Sequence, residues 1–558
     1  MKHFLCCMIS FFGWHTMGFA QSQFQWVKSA GGLGKHDQVR ALGFDLQGNV
    51  YAAGNYNDTT RFDTVLLPVW SGTDAQGGSF LVKYNGSGQL IWAQSMRART
   101  NITTRMCEIS AMAVNPAGEA TVFGRFTDSM TVSGQTIINP HNGFGENSSF
   151  IAKFDATGQL LWLKVIASRQ STVVEARILA NDDILITGIF ANSINFGNGM
   201  SLATGSTITN ETFIARISSA DGSCLWAVKP EAKKENRVSG LVADSDNAYI
   251  TGVFRDSIRF NANTAFGVHS PESNVNNRRN LFVAAYNLQT GAFSWAQQIK
   301  GQLDWAADIT VLNSGVVICG NATGYIKIGE DSSTAGAFVA GLNITNGNQI
   351  WLKKSSKFLN KLVRAGASEF FVLGNGPSGA WAIDTINTGY IGSGFMFAKM
   401  NAAGSALYAE VFGAGGATIG VADAAYQDGN LIVGGGCYGL GPVSLGNNVS
   451  LTIDELGYNN LWFGLFGGSG VGMSVHQLIN PLRDIVVYPN PIRDGFAIKT
   501  AEEGLIQYEL INLTGATLLK GNATSQEFIN TNGLAAGTYF LRLKQNNQFI
   551  SRKVVLTP

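Results

Sequence analysis

Apolar and polar residues alternate along most of this chain in short runs, and one run keeps returning. Residues 80–94 read FLVKYNGSGQLIWAQ, an apolar strand, a polar turn and a second strand that carries a tryptophan. Variants of it recur as FIAKFDATGQLLWLK, FIARISSADGSCLWAV, FVAAYNLQTGAFSWAQ and FVAGLNITNGNQIWLK. Turn residues such as Asn85-Gly86 and Asp221-Gly222 tolerate the positive φ that tight hairpins require, so each phrase predicts a β-hairpin.

The anchors of the repeat are Trp26, Trp92, Trp162, Trp226, Trp295, Trp351 and, substituted, Tyr408, spaced by 66, 70, 64, 69, 56 and 57 residues. After each anchor comes a second hairpin, as in VRALGFDLQGNVYAAGNY from Val39 and ISAMAVNPAGEATVFGRF from Ile109, with shorter forms later at NSGVVICGN and DGNLIVGGG. Two hairpins make a four-stranded antiparallel sheet that cannot bury its faces alone. Radial stacking buries both, which predicts an all-β, seven-bladed β-propeller with each tryptophan wedged between blades. FQWVK at 24–28 lacks a partner at one end and LWFGLF at 461–466 lacks one at the other. Pairing the two completes the last blade and removes two open sheet edges.

Composition agrees and narrows the partners. The 67 glycines and 11% aromatic residues suit short strands and tight turns, and 558 residues exceed one ordinary core. Net charge is +1 with 14% charged residues and no basic block, which argues against DNA or RNA as a partner. The start, MKHFLCCMISFFGWHTMGFAQ, has the basic, apolar and small-residue zones of a secretory signal over 1–20, too short in its apolar part to span a bilayer. Its removal leaves Cys107, Cys224, Cys319 and Cys437, each in a different repeat and too far apart in sequence to suggest a disulfide framework.

The pattern D-x-x-G-N-x-Y-x-x-G followed by F-x-x-K-Y-x-x-x-G-x-x-x-W resembles the secreted bacterial β-propeller (SBBP) repeat over residues 24–466. Asp45, Gly48, Asn49, Tyr51 and Gly54 match its first half, and Lys83, Tyr84, Gly88 and Trp92 its second. AYNLQTGAFSW, Ala285 to Trp295, also resembles the docking motif of quinoprotein-like propellers, often eight-bladed. The adjacent cysteines typical of their dehydrogenases do not remain after signal removal, so no cofactor is expected.

A glycine-rich stretch, 467–483, predicts a linker, after which short alternating strands over 484–558 predict a small immunoglobulin-like β-sandwich. This segment resembles the type A C-terminal sorting domain of the type IX secretion system of Bacteroidota. The matching residues are Tyr488, Pro489, Asn490 and Pro491, then Gly515, then Gly537, Thr538 and Tyr539, and finally Lys553, Val554 and Val555. The resemblance implies passage through the periplasm, delivery to the cell surface or the medium, and the secretion machinery as a partner.

No H-E-x-x-H, nucleophile elbow, P-loop or C-x-x-C is present, and His36, His141, His269 and His476 stand far apart. No catalytic, cofactor or metal residue is therefore assigned. Asp244-Ser245-Asp246-Asn247 is read as turn chemistry rather than a calcium loop, because the distal glutamate is missing. Asp128-Ser129-Met130 and Asp256-Ser257-Ile258 fit either an Asx turn or the short O-glycosylation signal of Bacteroidota. Insertions at 139–149 and around Arg278 and Arg279 fall at equivalent places and offer a binding face, or are tolerated surface loops. The expected role is a non-catalytic scaffold that binds extracellular glycan or protein. The alternatives are a polysaccharide hydrolase or lyase, which needs clustered carboxylates of raised pKa in a central funnel, and a purely structural adhesion role.

Overall fold

A computed structural model describes residues 23–467 and 486–557, apart from 32–36, 58–59, 68–77, 99–105, 142, 144, 205–209, 268–278, 329–330, 334–335, 377–378, 392–393, 414–416, 440, 446–448, 454–459, 500–504, 513–515 and 546–547. The expected signal peptide, most of the glycine-rich linker, Gly515, Arg278, His36, His269 and His476 lie outside the described residues. The chain divides into two compact units, 1–474 and 475–558, and every regular element described is a strand.

In the large unit, four-stranded antiparallel meanders follow one another. The first pairs Gln38–Phe44, Val50–Tyr56, Gly78–Tyr84 and Leu90–Ala98 in order. The second runs Cys107–Val114, Ala120–Phe126, Ser148–Phe154 and 160–168; the third 170–178, 184–191, Glu211–Ile217 and Cys224–Val228. The fourth uses Asn236–Ala243, Asn247–Phe254, Arg279–Asn287 and 293–301; the fifth 305–312, 315–322, Gly336–Leu342 and Gln349–Ser355. The sixth comprises Leu359–Arg364, Glu369–Gly376, Gly394–Asn401 and Ala406–Gly413. A closing sheet takes Asp423–Gln427, Asn430–Gly439 and Asn460–Gly467 from the end of the unit and its outermost strand, Gln23–Ala30, from the beginning. Trp26 lies opposite Leu465 and Lys28 opposite Phe463. The architecture is all-β and propeller-like, with the first strand of every sheet innermost.

Each anchor tryptophan reaches across to the next sheet. Trp26 Nε1 donates to Gly86 O at 2.9 Å, Trp92 to Ala156 O at 3.1 Å, Trp162 to Ser219 O at 3.2 Å, Trp226 to Leu288 O at 3.2 Å, Trp295 to Ile344 O at 3.0 Å and Trp351 to Ala402 O at 2.9 Å. Every acceptor sits in the turn between the third and fourth strands of the following sheet. The indole lies flat on a glycine of that turn, so a Cβ added at Gly158 would come within 2.8 Å of the Trp92 ring. The rings are half-buried rather than fully enclosed, Trp226 excepted, because the outer strand keeps one edge at the perimeter. Tyr408 makes no such bond among those described and packs edge-on against Phe371 and Phe397. The reason is topological: the closing sheet's third and fourth strands come from opposite ends of the chain, so no turn joins them for an indole to cover.

The repeat's lysine serves the same joint. Lys83 Nζ donates to Ala156 O at 3.2 Å, the carbonyl that also accepts from Trp92, and forms a buried ion pair with Asp45 at 3.1 Å. Lys153 shares Ser219 O with Trp162, and Arg216 shares Leu288 O with Trp226.

Two further devices tie the sheets together. Asn55 holds the next sheet's first strand with both ends of its amide, donating to Ile109 O at 3.0 Å and accepting from Ile109 N at 2.8 Å; Asn321 does so with Leu359 and Asn375 with Val421. In addition, a short ribbon between the second and third strands pairs with the outer end of the preceding sheet. Met130 lies opposite Ala98, Ile194 opposite Ser168, Ile258 opposite Ala232, Lys327 opposite Lys300 and Ile383 opposite Ser355. The Asp/Asn-Ser corners open these ribbons, with Asp128, Asn192 and Asp256 at φ of 55°, 62° and 65°. The corner is thus a left-handed turn, and Ser129 is largely buried.

The small unit has two antiparallel sheets, one of Val486–Tyr488, Gly495–Lys499 and Phe528–Asn530, the other of Thr517–Ala523, Ile506–Ile511, Gly537–Gln545 and Gln548–Leu556. Ile492, Phe496, Ile498, Leu510, Leu541 and Val554 form its core.

Gly158, at φ of 86°, is the most direct test of the joint. Gly158→Ala should cost more than about 1 kcal/mol, combining an unfavourable left-handed residue with a clash against Trp92, whereas Trp92→Phe, which loses mainly the hydrogen bond, should cost about 1 kcal/mol. Urea midpoints of the full chain measure both; a neutral Gly158→Ala would mean the indole does not rest on that turn.

Candidate functional site

First strands of every sheet in the large unit surround a cavity of about 530 Å³, lined among others by Arg40, Ser110, Glu175, Val242, Thr310, Lys361 and Asp423. The first strands of the first six sheets each carry a register shift, between Val39 and Ala41, Ile109 and Ala111, Val173 and Glu175, Val238 and Gly240, Ala306 and Asp308, and Leu359 and Lys361. The bulge explains a glycine of the repeat: a Cβ at Gly54 would lie 2.1 Å from Gln38 O, and Gly124 and Gly188 face their neighbours equally closely. The residues just past the bulge form one tier around the axis. Three of them are small, Ala41, Ala111 and Gly240, and the others are Glu175, Asp308 and Lys361; Asp423, from the unbulged first strand of the closing sheet, joins them through Lys361.

Lys361 is the hub of that tier. Its Nζ lies 2.7 Å from Glu175, 3.1 Å from Asp423 and 3.5 Å from Asp308, and Arg177 lies 2.7 Å from Glu175. Two carboxylates also cap open strand edges: Asp423 accepts from Leu42 N at 2.7 Å and Asp308 from Leu362 N at 3.0 Å. Burial by itself would lower the Lys361 value, but Asp308, Asp423 and Glu175 outweigh it and hold the amine firmly protonated. Burial would raise Glu175, yet Arg177 and Lys361 bring it below the ordinary range. Burial pushes Asp308 up to about 6, against the pull of Lys361 and with the push of Glu175. Chemically, the tier is a closed ion network in which three carboxylates converge on one ammonium.

No single stretch of sequence could reveal this tier, since its members sit in strands that read as ordinary alternating segments. The structure places the anchor residues at sheet junctions, away from the channel. Asp244 is a turn cap, accepting from Asp246 N, Asn247 N and the Tyr249 hydroxyl. Asn139, in the first insertion, is buried and accepts from the Ser148 hydroxyl at 2.7 Å. The four cysteines are buried, and burial pushes the Cys107 thiol up to about 12. Among the described residues, no group of three or more His, Cys, Asp or Glu is placed to hold a metal ion, and no helix is long and apolar enough to cross a membrane.

In the small unit, three separated parts of the sorting motif come together. Asn490 donates to Lys553 O at 3.1 Å and accepts from Val555 N at 3.0 Å, so the Tyr488-Pro489-Asn490-Pro491 segment clips onto the last strand. Gly537, Thr538 and Tyr539 lie opposite Leu556, Val555 and Val554, and the Tyr539 hydroxyl donates to Ala535 O at 2.7 Å.

Residues 486–557 match the family described as Secretion system C-terminal sorting domain. This type IX tail indicates export to the cell surface or outside the cell and engagement of the secretion machinery. No curated protein matches the chain. Among solved structures, BamB from Moraxella catarrhalis aligns at a TM-score of 0.32 and 13% identity over 74% of this chain and 97% of that one. A Synechocystis apocarotenoid oxygenase mutant aligns at 0.28 and 8% identity over 67% and 91%. Both likenesses are too distant to carry an argument about this chain.

The Asp308 value lies above the ordinary 3.8, so the folded chain binds that proton more tightly than the unfolded chain. Its contribution to stability is therefore present at acid pH and lost as pH rises through about 6. Asp308→Asn should melt increasingly above the native chain as pH goes from about 4 to 7, while Lys361→Met, leaving buried carboxylates uncompensated, should cost about 3–5 kcal/mol at neutral pH. Thermal melts across pH check both, and a pH-independent gap between Asp308→Asn and the native chain would exclude the elevated acid.

Proposed function

We propose that the chain is a type IX secretion cargo of Bacteroidota: a signal peptide at 1–20, a seven-bladed SBBP-type β-propeller at 21–466 with a shared closing blade, a linker at 467–483 and a type A, immunoglobulin-like sorting domain at 484–558. The sorting-domain match over 486–557 carries this reading. The body acts as a non-catalytic scaffold that binds extracellular glycan or protein. Supporting that role, the channel carboxylates are engaged by Lys361, Arg177 and backbone N–H groups rather than standing opposed across open space, as the acid and base of a glycoside hydrolase must. The rival, a polysaccharide hydrolase or lyase, draws its support from Asp308, a carboxyl raised to about 6 beside the channel.

Cell fractionation with mass spectrometry of the mature C-terminus tests the export reading. The body is expected at the surface or in the medium without the segment after about Asp484, and Asn490→Ala, which unclips the motif from the last strand, should leave the chain inside the cell. An intact tail confined to the periplasm would sink the export reading; release of reducing ends from a polysaccharide panel by the native chain, abolished in Asp308→Asn, would favour the rival.

A further inference from the structure

We infer that the joint between the fifth and sixth sheets is a binding site for a single phenol ring, presented by a small phenolic molecule or by a tyrosine side chain of a partner. The site goes beyond the export and scaffold readings and depends on neither. A cavity of about 310 Å³ opens there, at the low end of the range for ligand pockets. Leu312, Val317, Leu342, Ile350 and Trp351 line it, with backbone at Gly341 and Ala402, and none of its described lining residues is charged. Ile350 is 56% exposed, which gives the cavity a mouth to solvent. Two side chains that fill the other joints are missing from this one. Opposite each anchor the third strand carries Lys83, Lys153, Arg216, Ala285, Gly341 and Lys399 in turn. Facing those, the second strand carries Tyr51, Thr121, Leu185, Tyr249, Val317 and Phe371. Every one of the first six sheets except the fifth therefore keeps a basic side chain or an aromatic ring at these two places. The fifth, with Gly341 and Val317, has neither.

Charge decides which of the two missing groups a ligand replaces. Elsewhere the cation is paired with a carboxylate of the first turn, Asp45, Glu119, Asp183 or Glu369. The fifth sheet reduces that turn to Asn313-Ser314 and supplies no carboxylate, so an ammonium in the cavity would be desolvated without a counter-charge, which is costly. A neutral ring meets no such cost. The fourth sheet shows a joint that holds a ring without a cation: Ala285 stands at the basic place, yet Tyr249 remains against its indole at 6.0 Å, as Tyr51 does against Trp92 at 5.9 Å. An acceptor is also ready for the hydroxyl. In the first three sheets the turn carbonyl that takes the indole N–H takes a second donor from the lysine or arginine. Ala402 O, beside the cavity, has Trp351 Nε1 alone among the described bonds. A phenol would lay its ring on the apolar wall and give its proton to that carbonyl.

The test is calorimetric titration of the purified full chain at about pH 7, where a phenol is neutral, with p-cresol, toluene, n-butylamine and the capped tripeptide Gly-Tyr-Gly. Saturable binding of one p-cresol per chain is expected, with toluene about fivefold weaker for want of the hydroxyl and no measurable binding of n-butylamine. Val317→Tyr, which restores the ring of the first and fourth sheets, should abolish binding and raise the melting temperature by filling the cavity. Val317→Ile, which adds one carbon and keeps a branched strand residue, should weaken p-cresol binding several-fold and carries the test if the tyrosine variant does not fold. Undiminished binding by a folded Val317→Tyr, or by Val317→Ile, overturns the site. Tighter binding of n-butylamine than of p-cresol overturns the phenol in favour of a cation, and equal binding of toluene overturns it in favour of any small apolar ring. Comparable affinity for p-cresol and the tripeptide assigns the site to a partner's tyrosine, and affinity for p-cresol alone assigns it to a small phenolic molecule. No binding of p-cresol overturns this inference and leaves the export and scaffold readings standing.

Discussion

The structure depends on a contact that no single repeat can make. An indole from the outer strand of one sheet needs the turn carbonyl and bare glycine of the next, as Trp92 needs Ala156 and Gly158. Each repeat therefore supplies half of two joints, and stability resides in neighbours rather than in sheets. The closing sheet follows from the same requirement. Its outer strand must come from residues 23–30, because that strand brings Trp26 to the turn at Gly86 and completes the joint with the first sheet. Tyr408 is the consistent exception, since the sheet it faces has no turn to offer.

The hairpins, the anchors and the meeting of the two ends were legible because each is encoded within some fifteen residues by alternation, turn chemistry and a large aromatic side chain. The ribbons were not. Strands of three or four residues, such as Ser257–Arg259, are too short to show a period, and their Asp-Ser corners look like generic turns or modification signals. The asparagine clamps were present in the repeats as the Gly-Asn of AAGNY and VLGN, but a two-residue signal does not announce a partner more than forty residues away. In the sorting domain, the motif segments were recognised separately, and only the fold shows that Asn490 binds the strand carrying Lys553 and Val555.

The channel tier was the least legible part because its logic is rotational. Glu175, Asp308, Lys361 and Asp423 become neighbours only when the first strands of different sheets are brought together around the axis. Three small residues, Ala41, Ala111 and Gly240, leave the space that the charged side chains fill; a Cβ at Gly240 would lie 2.9 Å from Asp308 Oδ1. A buried ion network of this kind is weak evidence for net stability, since well-packed apolar side chains often do as well. What it does supply is asymmetry. In a ring of similar sheets, apolar contacts alone would tolerate a sheet in the wrong place, whereas Lys361 finds its three carboxylates only when the third, fifth, sixth and closing sheets occupy their own positions.

That division separates charge held inside the channel from charge at the strand ends. On the axis, three carboxylates face Lys361 and Arg177 and two of them cap strand-edge N–H groups, while Asp308 Oδ1 is buried without a hydrogen-bond partner. At the ribbon end of the fourth sheet charge is arranged differently: Arg237, Arg255 and Arg279 gather around Glu235, and Lys300 faces Lys327. The repeats themselves explain why such differences lie there. Residues at joints are constrained by two sheets at once and keep their types, while strand ends beside the ribbons are constrained by one and are free to differ between repeats. Recognition that distinguishes one propeller-like body from another should accordingly be sought at those ends.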